Sequence, residues 1–438
     1  MLLNAADKAL WRLALPMIFS NITVPLLGLV DTAVIGHLDS PVYLGGVAVG
    51  ATATSFLFML LLFLRMSTTG LTAQAWGAKD PQRLARALVQ PLALALGAGV
   101  LIILLRLPLI DLALHIVGGS EAVLEQARRF LEIRWLSAPA SLANLVLLGW
   151  LLGVQYARAP VILLVVGNLL NIVLDLWLVM GLRMNVQGAA LATVTAEYVT
   201  LIIGLLMAKR VLTLRGVSLA MLKNAWRGDL RRLLALNRDI MLRSLLLQLC
   251  FGALTVFGAR LGSDIVAVNA VLMTMLTFTA YALDGFAYAV EAHSGQAYGA
   301  RDGSQLLEVW RAACRQSGMV ALAFALIYSL AGQYIIALLT SLPSLQQLAD
   351  RYLIWQTILP VVGVWCYLLD GMFIGATRGA EMRNSMAVAA AGFAVTLLTL
   401  PVLGNHGLWL ALAVFLALRG LSLALIWRRH WRRGTWFS

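Results

Sequence analysis

Six acidic residues lie inside long apolar stretches of this 438-residue sequence. They are Asp31, Asp175, Glu197, Asp284, Glu291 and Asp370. A carboxylate at the centre of a membrane-spanning helix costs about 2.5 to 3.5 kcal/mol on insertion scales, so such residues mark ion or proton sites by default. Glu291 is the exception, because it lies near Arg301 and a helix end, where a packing or interfacial role is favoured.

The spacing of the polar residues predicts where these acids converge. One helix face carries a stripe with i, i+3, i+7 spacing, formed by Asn168, Asn171 and Asp175. Asp31 and Asp175 lie about 18 and about 15 residues from the inner ends of their predicted helices, hence at nearly the same depth. Thr193 falls at a similar level, and Glu197 lies one turn deeper. Two carboxylates with an amide and a hydroxyl supply hard oxygen ligands for Na⁺, or a site that holds a proton.

The elements that must position these residues are membrane helices. The chain is 61% hydrophobic and 12% charged, whereas soluble domains are about half apolar and a quarter charged. Twelve apolar segments can each cross the ~30 Å hydrocarbon layer. They are 13–37, 44–66, 86–108, 130–154, 160–182, 187–208, 237–260, 265–291, 308–335, 352–376, 384–404 and 407–427. Alternating ten-residue barrel patterns are absent, so an all-α polytopic membrane protein is predicted.

The positive charges predict the orientation of this bundle. Of the 33 Lys and Arg residues, 25 fall on one side of the predicted membrane and seven on the other. The positive-inside rule then places both termini in the cytoplasm and explains the net charge of +13 without a nucleic-acid partner. Arg65, at the cytoplasmic end of the second span, is expected to snorkel toward the interface.

An internal repeat divides the chain into two halves. A shift of 222 residues lays 73–84 on 295–306, with six identities in twelve positions, and pairs Gly149 with Gly371 and Gly153 with Gly375. We predict an N-lobe of six helices over 1–214, a basic cytoplasmic linker over 215–236 and a C-lobe of six helices over 237–438. Each half has an even number of spans, so the two pseudo-symmetric copies form a parallel repeat. The small-xxx-small glycine spacing favours close helix packing.

Motifs for enzymatic chemistry are absent from the sequence. There is no phosphate-binding loop, no H-E-x-x-H and no G-x-S-x-G. The three cysteines have no metal-ligand spacing. We therefore expect neither an enzyme nor a bound metal or cofactor, and any uphill transport would draw on an ion gradient.

Several motifs together resemble the multidrug and toxic compound extrusion (MATE) family. They are L-P at 15–16, V-D-T-A-V-I-G-H-L at 30–38, Q-A-W-G at 74–77, G-x-x-x-G at 149–153, N-I-V-L-D at 171–175 and G-A-A-L-A at 188–192. The A-L-D-G segment at 282–285, followed by Glu291-Ala292, is similar to the DinF, or DNA-damage-inducible, branch of that family. The resemblance extends over essentially the whole chain.

The resemblance implies a fold and a mechanism. Two six-helix lobes would form a V-shaped cavity in the bacterial inner membrane and export organic cations or other amphipathic small molecules against inward H⁺ or Na⁺ flow. The coupling residues that it implies are Asp31, Asn171, Asp175 and Thr193, with Pro16 at the bend of the first helix.

The second half departs from the pattern of some members of that family. Those members use acids in the seventh and tenth helices, but the seventh helix here carries Gln248 and no carboxylate. This departure favours coupling through the N-lobe and leaves Glu197, Asp284 and Asp370 as secondary candidates.

A lipid-linked oligosaccharide or lipid flippase with the same two-lobe architecture is the alternative function. Such flippases tend to hold pyrophosphate with basic residues in a central cavity, whereas the mid-span charges here are acidic. A cationic or amphipathic substrate is therefore favoured. The expected partners are these small molecules and the lipid bilayer, and the protein is expected to be a monomer.

Overall fold

The computed structural model describes residues 5–36, 38, 40–228 and 230–438, without the side chains of residues 24–33 and 36. The described residues form seventeen α-helices and no strand. The helices are α1 (Ala5–Gly36), α2 (Pro41–Leu60), α3 (Phe63–Gly77), α4 (Pro81–Leu104), α5 (Arg106–Val117), α6 (Glu121–Arg134), α7 (Ala138–Gly153), α8 (Arg158–Asp175), α9 (Asn185–Leu214), α10 (Leu219–Asn224), α11 (Leu230–Arg260), α12 (Ser263–Ala300), α13 (Gly303–Leu339), α14 (Pro343–Gly375), α15 (Gly379–Thr396), α16 (Leu400–Leu403) and α17 (Asn405–Arg433).

The helices account for the twelve predicted spans. Eleven helical segments of the described chain are long and apolar enough to cross a membrane, and α1, with 32 residues, is the twelfth. Some spans consist of two consecutive helices, as in α2 with α3 and α6 with α7. The all-α polytopic fold is therefore confirmed. The short helix α10 and all but the first three residues of α5 lie outside the predicted spans, because each helix is too short to cross the membrane.

The described chain divides into two compact units. The N-unit is Phe19–Leu234, and the C-unit comprises Ala235–Ser438 together with the described residues up to Ile18. The boundary between the units therefore falls within α1, two residues after Pro16. The lobe and linker limits inferred from the span pattern stay predictions.

The same pairs of helices pack together in each unit. In the N-unit, α7 packs against α3 and α4, and α8 packs against α9. In the C-unit, the corresponding contacts join α14 to α12 and α13, and α15 to α17. The internal repeat is therefore a repeat of tertiary packing as well as of sequence.

The repeated motif at 73–84 and 295–306 forms a tight turn between two helices. Lys79 and Arg301 both adopt a left-handed conformation with φ of 53°. The next residue caps the following helix: the Asp80 carboxylate accepts hydrogen bonds from two backbone N–H groups of α4, and Asp302 accepts one from Gln305 of α13. Side-chain oxygens at this position stabilise a helix start by about 1 kcal/mol. The motif therefore has a structural role.

The paired glycines allow close helix contacts, as predicted. A methyl group added at Gly149 would lie 2.6 Å from the backbone oxygen of Arg65, and one at Gly371 would lie 2.8 Å from that of Ala287. Arg65 and Ala287 are themselves 222 residues apart, so the contact is repeated in register. The Arg65 side chain does not snorkel as expected. It is 3% exposed and donates from Nη1 to Oγ1 of Thr69 at 3.3 Å.

Candidate functional site

Three of the four predicted coupling residues lie together in the N-unit. Asn171 and Asp175, one turn apart on α8, are 3% and 1% exposed. The Nδ2 of Asn171 donates to Oγ1 of Thr193 on α9 at 3.3 Å. An amide and a hydroxyl are therefore in contact inside the bundle, with a buried carboxylate one helical turn further along α8.

The backbone leaves α-helical geometry directly after Asp175. Leu176–Gly181 form a π-helical turn, a rare feature that occurs frequently at functional sites. The start of α9 packs closely on this turn, because a methyl group at Gly188 would lie 3.1 Å from the Leu178 carbonyl oxygen. This approach sets the depth at which Thr193 meets Asn171.

The first helix passes beside the same polar stripe. The Nδ2 of Asn168 on α8 donates to Oγ1 of Thr23 on α1 at 3.1 Å. Asp31 belongs to the helical backbone of α1, but its side chain lies outside the described residues. Pro16 is half-buried, and α1 is helical on both sides of it.

Glu197 lines a cavity that also includes the Asn171–Thr193 pair. The cavity has a volume of about 310 Å³ and is lined by residues of the N-unit that include Asn168, Asn171, Thr193 and Glu197. Asn144 on α7 donates from Nδ2 to Oε2 of Glu197 at 2.9 Å and to the Glu197 backbone oxygen at 3.1 Å. The structure therefore joins one secondary acidic candidate to the predicted site.

Asp370 lies in a different environment, in the C-unit. Its Oδ2 accepts a hydrogen bond from Nη2 of Arg243 at 2.7 Å and another from Nη2 of Arg419. The three side chains are between 5% and 9% exposed. Both arginines belong to the 25 basic residues that the sequence places on the cytoplasmic side, but their side chains are buried and do not lie in a loop. Without them the charge imbalance still has the same sign.

The two remaining acids also lie in the C-unit. Asp284 is half-buried on α12 and close enough to Cys366 and Tyr367 to act on them electrostatically. Glu291 is 2% exposed, and a methyl group added at Gly375 of α14 would lie 2.9 Å from the Glu291 backbone oxygen. Burial at a helix contact agrees with the packing role expected for Glu291.

Sequence reasoning missed Asn144 and the arginine pair. The sequence carries a signal for each contact. Asn144 is a polar residue in the middle of the predicted span 130–154, and Arg243 and Arg419 lie inside the predicted spans 237–260 and 407–427. Hydropathy does not reveal which helix face a residue occupies, so neither contact could be derived from it.

Comparison with known proteins places the chain in a family. The MatE family model matches residues 16–177 and 240–403, one match in each half. The chain therefore belongs to the MatE family and is a membrane transporter of that kind.

Individual relatives agree with this assignment. The chain is 87% identical over 436 residues to the DNA damage-inducible protein F of Escherichia coli K12, covering 100% of this chain and 95% of the relative. It is 23% identical to a probable multidrug resistance protein NorM of Acinetobacter baylyi, over 96% of this chain and 94% of the relative. A solved outward-facing multidrug resistance MATE family transporter has the same fold, with a TM-score of 0.84 and 24% identity over 98% of this chain and 96% of its own.

Proposed function

We propose that this transporter is a secondary active exporter that moves amphipathic or cationic small molecules outward by alternating access, in antiport with H⁺ or Na⁺. The single observation that carries the proposal is the contact between Asn171 and Thr193 beside the buried Asp175. A carboxylate that is buried in a membrane bundle needs a proton, a cation or a paired charge. The relatives named for multidrug resistance support the substrate class.

Asp31 completes the proposed coupling site. The hydrogen bond between Thr23 and Asn168 fixes the local register of α1 and α8. If the two helices run in the same direction, as the span order predicts, Asp31 lies eight residues beyond Thr23 and Asp175 lies seven residues beyond Asn168. At about 1.5 Å per residue the two acids are then at the same height. Two neighbouring carboxylates in a poorly hydrated site cannot both ionise cheaply, so the pair would hold a proton or share a cation.

Pro16 is the proposed bend point of α1. Proline removes a backbone hydrogen bond and can kink a helix. Its place two residues before the boundary between the units suits a bend that changes when the coupling ion leaves. The site residues in this proposal are therefore Asp31, Asn171, Asp175 and Thr193, with Pro16 as hinge.

The proposed location is the bacterial inner membrane, with both termini in the cytoplasm and the protein acting as a monomer. The excess of basic residues on one side supports the orientation. The relative from Escherichia coli supports the bacterial membrane.

One observation favours the alternative of a lipid-linked oligosaccharide or lipid flippase. Arg65, Arg243 and Arg419 are all buried, and buried guanidinium groups suit phosphate recognition. The contact of Arg243 and Arg419 with Asp370 argues against this role, because the carboxylate already occupies donors of both.

Transport in proteoliposomes with proton and sodium gradients imposed separately tests the proposal. Export of a fluorescent lipophilic cation under one of the two gradients is the expected result. Translocation of a polyprenyl pyrophosphate, with no ion-driven movement of the cation, would instead support the flippase.

A further inference from the structure

The cavity of the N-unit extends away from the predicted coupling residues. Its lining includes Thr193 and Thr200 on α9 and reaches from Asn171 back to Leu163 on α8. Seven or eight residues of helix correspond to about 10 to 12 Å. The cavity therefore runs along the bundle from the Asn171–Thr193 pair toward the end where α8 begins and α9 ends. Its volume of about 310 Å³ has room for about ten water molecules.

Glu197 is the acid in the described lining of this cavity. It lies one turn from Thr193 on the same face of α9, and its hydrogen bonds in the described structure come from Asn144. The Oδ1 of Asn144 is buried and has no hydrogen-bond partner in the described part of the chain. An amide oxygen in that position needs a donor, such as a water molecule or a protonated group.

One basic and one acidic residue belong to the described lining of the cavity, and they lie on different helices. The basic residue is Arg134, whose guanidinium is 5.3 Å from the Phe58 ring and donates to Ser137. Glu197 lies on another helix, with Asn144 and Thr200 as its polar neighbours in the lining. Within the described lining, the Glu197 carboxylate is therefore the charged group that attracts a cation or proton, whereas the Arg134 guanidinium repels one.

We infer that Glu197, positioned by Asn144, is a second station for the coupling ion, which passes through this cavity between the Asn171–Asp175–Thr193 site and the end of the bundle where α9 ends. The inference rests on the proposed antiport. In this inference Glu197 transfers the coupling ion, and the Asn171–Asp175–Thr193 site holds it. Asn144 is then a positioning residue, because it acts by orienting the carboxylate.

The test compares Glu197→Gln with Glu132→Gln, a control of the same chemistry on α6 outside the described lining. In proteoliposomes, Glu197→Gln should export a fluorescent lipophilic cation at least ten-fold more slowly under the driving ion gradient, and Glu132→Gln at the wild-type rate. In detergent, Glu197→Gln should still release one coupling ion on substrate binding, only more slowly, whereas Asp175→Asn should release none. Asn144→Asp should retain more activity than Asn144→Leu.

Water access provides a test that leaves Glu197 in place. In a background without native cysteines, Thr200→Cys should react with a small charged thiol reagent. Thr195→Cys, on the same helix but outside the described lining, should not. No reaction at Thr200 would overturn the inference.

The transport outcomes separate the inference from the proposed function. Wild-type export by Glu197→Gln, with an inactive Asp175→Asn, would overturn the second station alone. Wild-type export by Asp175→Asn would overturn the proposed coupling site together with it.

Discussion

Asp370→Asn is expected to destabilise the C-unit and not to uncouple transport directly. The wild-type carboxylate lies 2.7 Å from Arg243 and also contacts Arg419, with all three side chains almost fully buried. At an effective dielectric constant of about 20 and a charge separation of about 4 Å, each pair contributes about 4 kcal/mol of attraction. Replacing the carboxylate by an amide leaves two guanidinium groups uncompensated, and breaking a buried pair costs about 3 to 5 kcal/mol.

The assay is equilibrium unfolding in micelles, with Asp350→Asn as the control. Asp350 lies on the same helix α14 and is exposed, so its change should alter the unfolding free energy by less than about 0.5 kcal/mol. The double variant Asp370→Asn with Arg419→Gln restores the net charge of the cluster and should be more stable than Asp370→Asn alone. Wild-type stability of Asp370→Asn, combined with loss of export, would refute this reasoning and make Asp370 a coupling residue.

Two further predictions concern packing and topology. Gly149→Ala should destabilise the N-unit by about 1 to 3 kcal/mol, because the new methyl group meets the Arg65 carbonyl. Gly97→Ala, whose methyl group meets open space, should not destabilise it. Equal stability of the two variants in an unfolding assay would contradict this account of the glycine pair. A reporter fused after Ser438 should register as cytoplasmic and one inserted near Pro343 as external, and the reverse pattern would overturn the proposed orientation.

The span pattern and the repeat could be predicted because they depend on properties that sequence records directly. Apolar length identified the twelve spans. The shift of 222 residues aligned Lys79 with Arg301, and the structure gives both residues the same φ. Glycine spacing likewise predicted the contacts of Gly149 and Gly371.

Contacts between distant charged residues could not be predicted in this way. Arg243 and Asp370 are 127 residues apart, and nothing local distinguishes an arginine that is buried inside the bundle from one that reaches the interface. Asn144 and Glu197, 53 residues apart, present the same difficulty. The proximity of Asn171 and Thr193 could be predicted, because their depths along the spans and the motif resemblance pointed to the same positions.

The central claim is that Asp31 and Asp175 hold the coupling ion, and ion-driven export by variants of these two residues tests it most directly. Asp31→Asn and Asp175→Asn, each compared with Asp111→Asn as an exposed control in the N-unit, would be reconstituted and supplied with a defined proton or sodium gradient. Both variants should stay folded and lose export of the fluorescent cation while retaining part of its binding, and the control should export normally. Wild-type export rates in either variant would remove that aspartate from the coupling mechanism and contradict the account.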